Sequence, residues 1–151
     1  MSRHHASLIL LAALAVAVPC PGGGTALAER LQGPIEAEVL RVVDGDTVEV
    51  RARIWLGQTV TTLVRVNGID TPERRSRCDA EKKAAEKVTA LVADLLPVGG
   101  KIRLRDVETG KYAGRVVAGV EMPDGRDLAR LLLDRKLARP YDGGSRAGWC
   151  D

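Results

Sequence analysis

Three runs rich in valine, isoleucine and threonine follow one another almost without interruption, at residues 35 to 43, 46 to 55 and 58 to 67. Such runs, partly alternating and broken by short polar pairs, read as consecutive strands of one sheet. Asp44-Gly45 between the first two is a hairpin turn signal. In the third run Val60, Thr62, Val64 and Val66 share one face, and Thr61, Leu63 and Arg65 share the other. Arg65 is therefore expected to point away from the valines. The period changes over Asp79 to Leu96, where Ala84, Val88, Leu91, Val92 and Leu95 form one helical stripe. Asp79 is expected to cap this helix, and Pro97 with Gly99-Gly100 to end it. Residues 101 to 106 and 115 to 121 read as two more strands. A short helix from about Asp127 to Arg135 would bury Leu128, Leu131 and Leu132. The expected order is three strands, helix, two strands, helix.

The segment ahead of the first strand reads as export machinery. Arg3, His4 and His5 form a polar start, Leu8 to Val18 is an unbroken apolar run, and Thr25-Ala26-Leu27-Ala28 offers small residues for cleavage after Ala28. The apolar run is far shorter than the ~20 residues that span a bilayer. Residues 1 to 28 are thus assigned to a signal peptide, 29 to 34 to an N-terminal extension and 35 to 151 to one domain. A secreted or periplasmic monomer, without stable membrane association after cleavage, is expected.

That assignment narrows the chemistry. Both histidines of the chain lie at positions 4 and 5, so the mature protein has none. Histidine-based nucleophilic schemes and histidine-ligated zinc drop out. Cys78 and Cys150 become the only cysteine pair, which an oxidising compartment would join as a disulfide. Removal of the leader takes one basic residue from 23, against 20 acidic ones. So even a balance gives little general attraction for polyanions, and any nucleic-acid contact must be local. The four mature aromatics, Trp55, Tyr112, Tyr141 and Trp149, are too few for a base-stacking platform. Trp149 reads as an apolar plug near the disulfide.

Polar clusters nevertheless recur at strand ends, where packing alone would prefer hydrophobes: Asp44-Gly45-Asp46-Thr47, Arg65, Asp70-Thr71-Pro72-Glu73, Lys111-Tyr112 and Gly114-Arg115. Taken singly, the first is a turn, and Asp70 to Glu73 is equally a helix start with a capping box. Taken together they offer carboxylates for a hard cation, a further carboxylate to act on water, and two arginines for a phosphate. The basic run Arg74, Arg75, Arg77, Lys82 and Lys83 reads equally as a steering patch or as a solvated face.

In these motifs the chain resembles the staphylococcal nuclease (thermonuclease) homologues. The resemblance rests on Val43-Asp44-Gly45-Asp46-Thr47-Val48, on Arg65 through Glu73, and on Lys111-Tyr112-Ala113-Gly114-Arg115, with Asp124-Gly125 and Leu137-Ala138-Arg139 extending it. It covers residues 35 to 141. It implies an α+β fold, a five-stranded OB-fold barrel with packed helices, here with the C-terminal helix reduced. It also implies a calcium-dependent endonuclease acting on DNA and RNA with little sugar specificity. By the same resemblance Asp46, Asp70 and the Thr71 carbonyl would hold Ca²⁺. Glu73 would act as general base, with Arg65 and Arg115 stabilising the phosphorane charge. Lys111 and Tyr112 would bind a terminal phosphate. Ala113 is an extra residue before Gly114, and Lys136 stands where the family often ends a helix with glycine. Two other classes remain as alternatives: a weak or inactive nucleic-acid-binding OB module, and a partner-binding domain on the same fold.

Overall fold

The computed structural model describes residues 29–150, so the expected leader and its cleavage after Ala28 lie outside the described residues. Strands β2 (Ile35–Asp44), β3 (Thr47–Trp55) and β4 (Gln58–Val66) form an antiparallel meander. A two-residue strand β5 (Ile69–Asp70) leads to helix α1 (Asp79–Leu95). Then come β6 (Lys101–Thr109), β7 (Arg115–Glu121), helix α2 (Leu128–Asp134) and β8 (Arg139–Pro140). β7 pairs in parallel with β4 and antiparallel with β6, and β6 pairs with β2, so β2, β3, β4, β7 and β6 close on themselves. The result is a mixed five-stranded barrel of the OB type, an α+β fold. Within the N-terminal extension, residues 29 to 34, β1 (Arg30–Leu31) pairs antiparallel with β6 at Val107 and Glu108.

The alternation read from the sequence fills the barrel. Val39, Val48, Val50, Val64, Val66, Ile102, Leu104 and Val120 are buried in one core, joined by Val88 and Val92 of α1 and by Leu128 and Leu132 of α2. Each such side chain contributes roughly 1.5–3 kcal/mol relative to exposure. Val60, on the same face as Val64, is exposed, as are Ile54, Trp55 and Leu56. The β3–β4 hairpin runs past the end of the barrel there, and among the described residues no layer covers it.

The buried stripe of α1 is Glu81, Ala85, Val88 and Val92 rather than one starting from Ala84. Nor does Asp79 cap the helix. The N-cap is Cys78, whose side chain is committed to Cys150, and Asp79 lies in the first turn with its carboxylate 3.0 Å from Lys82 Nζ. β6 runs three residues beyond its expected end at 106. A register shift between Arg105 and Glu108, with Asp106 at φ 50°, carries it onward. α2 forms as expected, with Asp127 accepting from the Arg130 N–H at 2.8 Å. Lys136 closes that helix at φ 56°, a left-handed conformation that glycine adopts without penalty. Among the described residues no helix follows α2. Residues 141 to 150 instead return across the barrel to the Cys78–Cys150 disulfide.

Candidate active site

The polar clusters converge because strand ends converge. The tight β2–β3 turn pairs Asp44 with Thr47 and presents Asp44 and Asp46. A side chain at Gly45 would meet Val88 Cγ1 at 2.7 Å and Thr71 Oγ1 at 2.9 Å, so the close approach of α1 requires glycine. Register sets Thr47 opposite Arg65, and the parallel β4–β7 pairing sets Leu63 opposite Arg115. The two arginines therefore emerge on one sheet face, two residues apart in register. β5 then delivers Asp70 and the loop through Thr71 to Glu73. The capping-box alternative for Asp70 and Glu73 is not realised: Asp70 is in a strand and no helix begins between it and Asp79.

Asp46 is held on every side. Its Oδ2 accepts from the Thr71 N–H at 3.1 Å and the Thr71 hydroxyl at 3.0 Å. Its Oδ1 accepts from the Thr47 hydroxyl at 3.0 Å and Arg65 Nη1 at 2.5 Å. Asp70 Oδ2 accepts from Trp149 Nε1 at 3.1 Å. Asp70 Oδ1 faces Arg65 Nη2 at 3.5 Å and the Arg146 guanidinium, yet receives no aligned hydrogen bond. Both carboxylates are almost fully buried, at 4% and 5% side-chain exposure. Burying two charges so close together requires positive partners. Asp44 lies beside them, and burial followed by the neighbouring Asp46 charge pushes its carboxyl above the usual carboxylate range.

The C-terminal tail supplies one of those partners. The Arg146 guanidinium engages Asp70 and Glu73 and donates to the Thr71 carbonyl at 3.1 Å. The tail is braced by Arg139 Nη1 on the Gly148 carbonyl at 2.6 Å, and Arg139 lies 3.9 Å over the Trp149 ring. Trp149 is thus a ligand of a site carboxylate and a stacking partner, more than the apolar plug expected of it.

A cleft of about 520 Å³ has Asp44, Asp46, Thr71, Glu73, Arg65, Arg115 and Arg146 on its walls, with Asp70 set behind them rather than on the lining. Lys111 and Tyr112 line it as well, so the extra Ala113 leaves both within reach. Tyr112 stacks 5.2 Å from the Arg115 guanidinium, and Arg115 Nε is buried without a hydrogen-bond partner. Tyr141 closes the far wall under Arg65, 5.6 Å from its ring centre. In the basic run, Arg74 reaches the Val43 carbonyl at 3.3 Å and Lys82 pairs with Asp79.

The donor set fits a hard cation. Asp46, Asp70 and the Thr71 carbonyl offer oxygen alone, with Asp44 and Glu73 beside them, and calcium takes such ligands in loose geometry. Arg146 makes the same point. One guanidinium touches Asp70, Thr71 and Glu73 at once, so these oxygens are spaced to share a positive charge. Cys78, Glu81 and Cys150 also lie close together, but both sulfurs are committed to the disulfide.

Sequence reasoning assigned no role to Glu81, Tyr141 or Arg146, and gave Asp44 only a place in the turn and its polar cluster. Asp44 sits inside the Asp-Gly-Asp-Thr motif and was legible there. Glu81 breaks an apolar helical stripe, a signal available at the residue level. Arg146 lies in the glycine-rich stretch Gly143 to Gly148, where nothing local distinguishes it from a solvated cation.

No family model matches the chain. Two curated relatives do: a protein named "Uncharacterized endonuclease" from Escherichia coli, and one of the same name from Escherichia coli O157:H7. Each is 27% identical over 108 residues, which make up 72% of this chain and 62% of the relative. The chain spans about three fifths of the length of these relatives.

Proposed function

We propose that the chain is a calcium-dependent nuclease of the staphylococcal nuclease type, exported from the cytoplasm, which hydrolyses phosphodiester bonds of DNA and RNA with little regard to the sugar. The observation that carries this reading is the convergence of Arg65, Glu73 and Arg115 on one cleft beside the buried Asp46–Asp70 pair. The endonuclease name of both relatives supports it.

The chain's own groups divide the work. Glu73, half exposed at the cleft wall, takes a proton from water as the water oxygen bonds to phosphorus. The phosphorus–oxygen bond to the leaving group then breaks, and that oxygen acquires a proton from solvent. Arg115 carries an unpaired buried N–H for a non-bridging oxygen, and Arg65 is fixed at the rim by Asp46 and by the Ile69 carbonyl at 3.2 Å. Both arginines stabilise charge that grows in the transition state, a task for planar, bidentate donors. Lys111 and Tyr112 receive a flanking phosphate. Calcium held by Asp46, Asp70 and the Thr71 carbonyl would add Lewis-acid stabilisation of the same phosphate.

The test is digestion of single-stranded DNA and of RNA by the mature protein. Both should be cut with calcium present. Both should be cut poorly with a calcium-specific chelator and added Mg²⁺, because few carboxylates and a backbone carbonyl tolerate irregular coordination better than strict octahedral geometry. Full cleavage with the chelator and Mg²⁺ would remove the calcium assignment. No cleavage under any condition would favour the inactive binding module.

A further inference from the structure

We infer that Glu81 is a positioning residue for Glu73, anchoring the backbone that presents the proton acceptor. Its kinetic consequences rest on the nuclease reading above. Glu81 occupies the inward stripe of α1, with Ala85, Val88 and Val92 following it, and it is only 9% exposed. Among the described residues no lysine or arginine pairs with it. A buried carboxylate there is costly, and a leucine would suit the packing better.

What Glu81 does instead is gather the loop from Glu73 to Cys78. Oε1 accepts from the Glu73 N–H at 3.0 Å, and Oε2 from the Ser76 hydroxyl at 2.5 Å. The Ser76 N–H closes on the Glu73 carbonyl at 3.2 Å, and the Cys78 N–H donates to Ser76 Oγ at 3.3 Å. The loop is thus folded around one carboxylate. The Glu73 side chain is 54% exposed, and its partner among the described residues is the tail's Arg146. Packing does not fix it, so apart from the Arg146 pair its position depends on its backbone and hence on Glu81. Charge-assisted N–H bonds to carboxylate are strong enough for this role.

Glu81→Leu removes both acceptors at similar volume, while Glu81→Gln keeps an oxygen for the Glu73 N–H. Turnover of a defined oligonucleotide should fall about a hundredfold in Glu81→Leu, the cost of displacing a reacting group by about 1 Å. KM should stay within about twofold, and Glu81→Gln should recover most of the loss. In a Glu73→Gln background, Glu81→Leu should lower kcat no further. Hydrogen exchange at the Glu73 amide should be slow in wild type and Glu81→Gln, and fast in Glu81→Leu. Unchanged kcat, unchanged exchange, or a loss that multiplies undiminished onto Glu73→Gln would overturn the inference. If Glu81→Leu does not fold, Ser76→Ala loosens the same carboxylate. It should then speed exchange and lower kcat severalfold, and no change would be equally fatal. A wild type that cuts nothing would instead defeat the nuclease reading, while the exchange data would still decide the anchoring.

Discussion

At the scale of single residues, the clustered carboxylates Asp46, Asp70 and Glu73 are held together by two arginines. Arg65 bridges Asp46 and Asp70, and Arg146 bridges Asp70 and Glu73. In the proposed mechanism Arg65 is needed at the phosphate, whereas Arg146 would compete with the proposed cation for the Asp70, Thr71 and Glu73 oxygens. Arg146→Ala should therefore tighten calcium binding, by about tenfold if one charge-assisted contact is lost from the competing state. Calorimetric titration of calcium without nucleic acid reads this directly. Unchanged or weaker binding would show that the tail does not compete. Arg65 stands out in the sequence because it interrupts an apolar strand, whereas the roles expected of Asp70 and Glu73 came from the motif resemblance. Arg146 was not, because only the return of the chain across the barrel gives it a partner.

At the scale of elements, strand identity and order followed from β-branched alternation, and the differences are informative. The α1 stripe includes Glu81 and Ala85 because the helix presents its first turn to the Glu73 loop as well as to the barrel. β6 is longer than expected because a bulge at Asp106 lets the strand continue, with Val107 returning to the core and Glu108 pairing with Arg30. α2 matched its leucine spacing, and its closing residue carries a penalty visible in both sequence and backbone. Lys136 sits at φ 56°. Lys136→Gly should raise stability by about 0.5–1 kcal/mol, since the conformation is strained for any residue with a Cβ. Urea unfolding with unchanged slope and no shift in midpoint would contradict that assignment.

At the scale of the whole molecule, barrel and tail are stabilised differently. The barrel needs no covalent help, with its valines, isoleucines and leucines buried in one continuous core. The tail from Tyr141 buries little and is held by the β5–β8 pairing, the Arg139–Trp149 stack and the disulfide. Closing a loop with ends 72 residues apart stabilises by about 4 kcal/mol in the chain-entropy model. Reduction should lower Tm by roughly 10 °C. At saturating calcium it should also lower turnover modestly, because Cys78 ends the loop that carries Glu73. A melting curve unaffected by reductant would contradict the structural role. Closure of the barrel was legible only through the family resemblance, since the parallel β4–β7 pairing leaves no local mark in either strand.

The measurement that bears most directly on the proposed mechanism pairs two readings on Glu73→Gln: turnover of single-stranded DNA at saturating calcium, and calcium affinity by calorimetry. If Glu73 acts on the attacking water, turnover should fall about a thousandfold or more, while calcium affinity stays within about threefold of wild type. Asp46→Asn should show the opposite order, losing calcium affinity first and recovering activity as calcium is raised. A Glu73→Gln protein that cuts at the wild-type rate, or that excess calcium fully restores, would contradict the assignment of this cleft as a carboxylate-driven phosphodiesterase site.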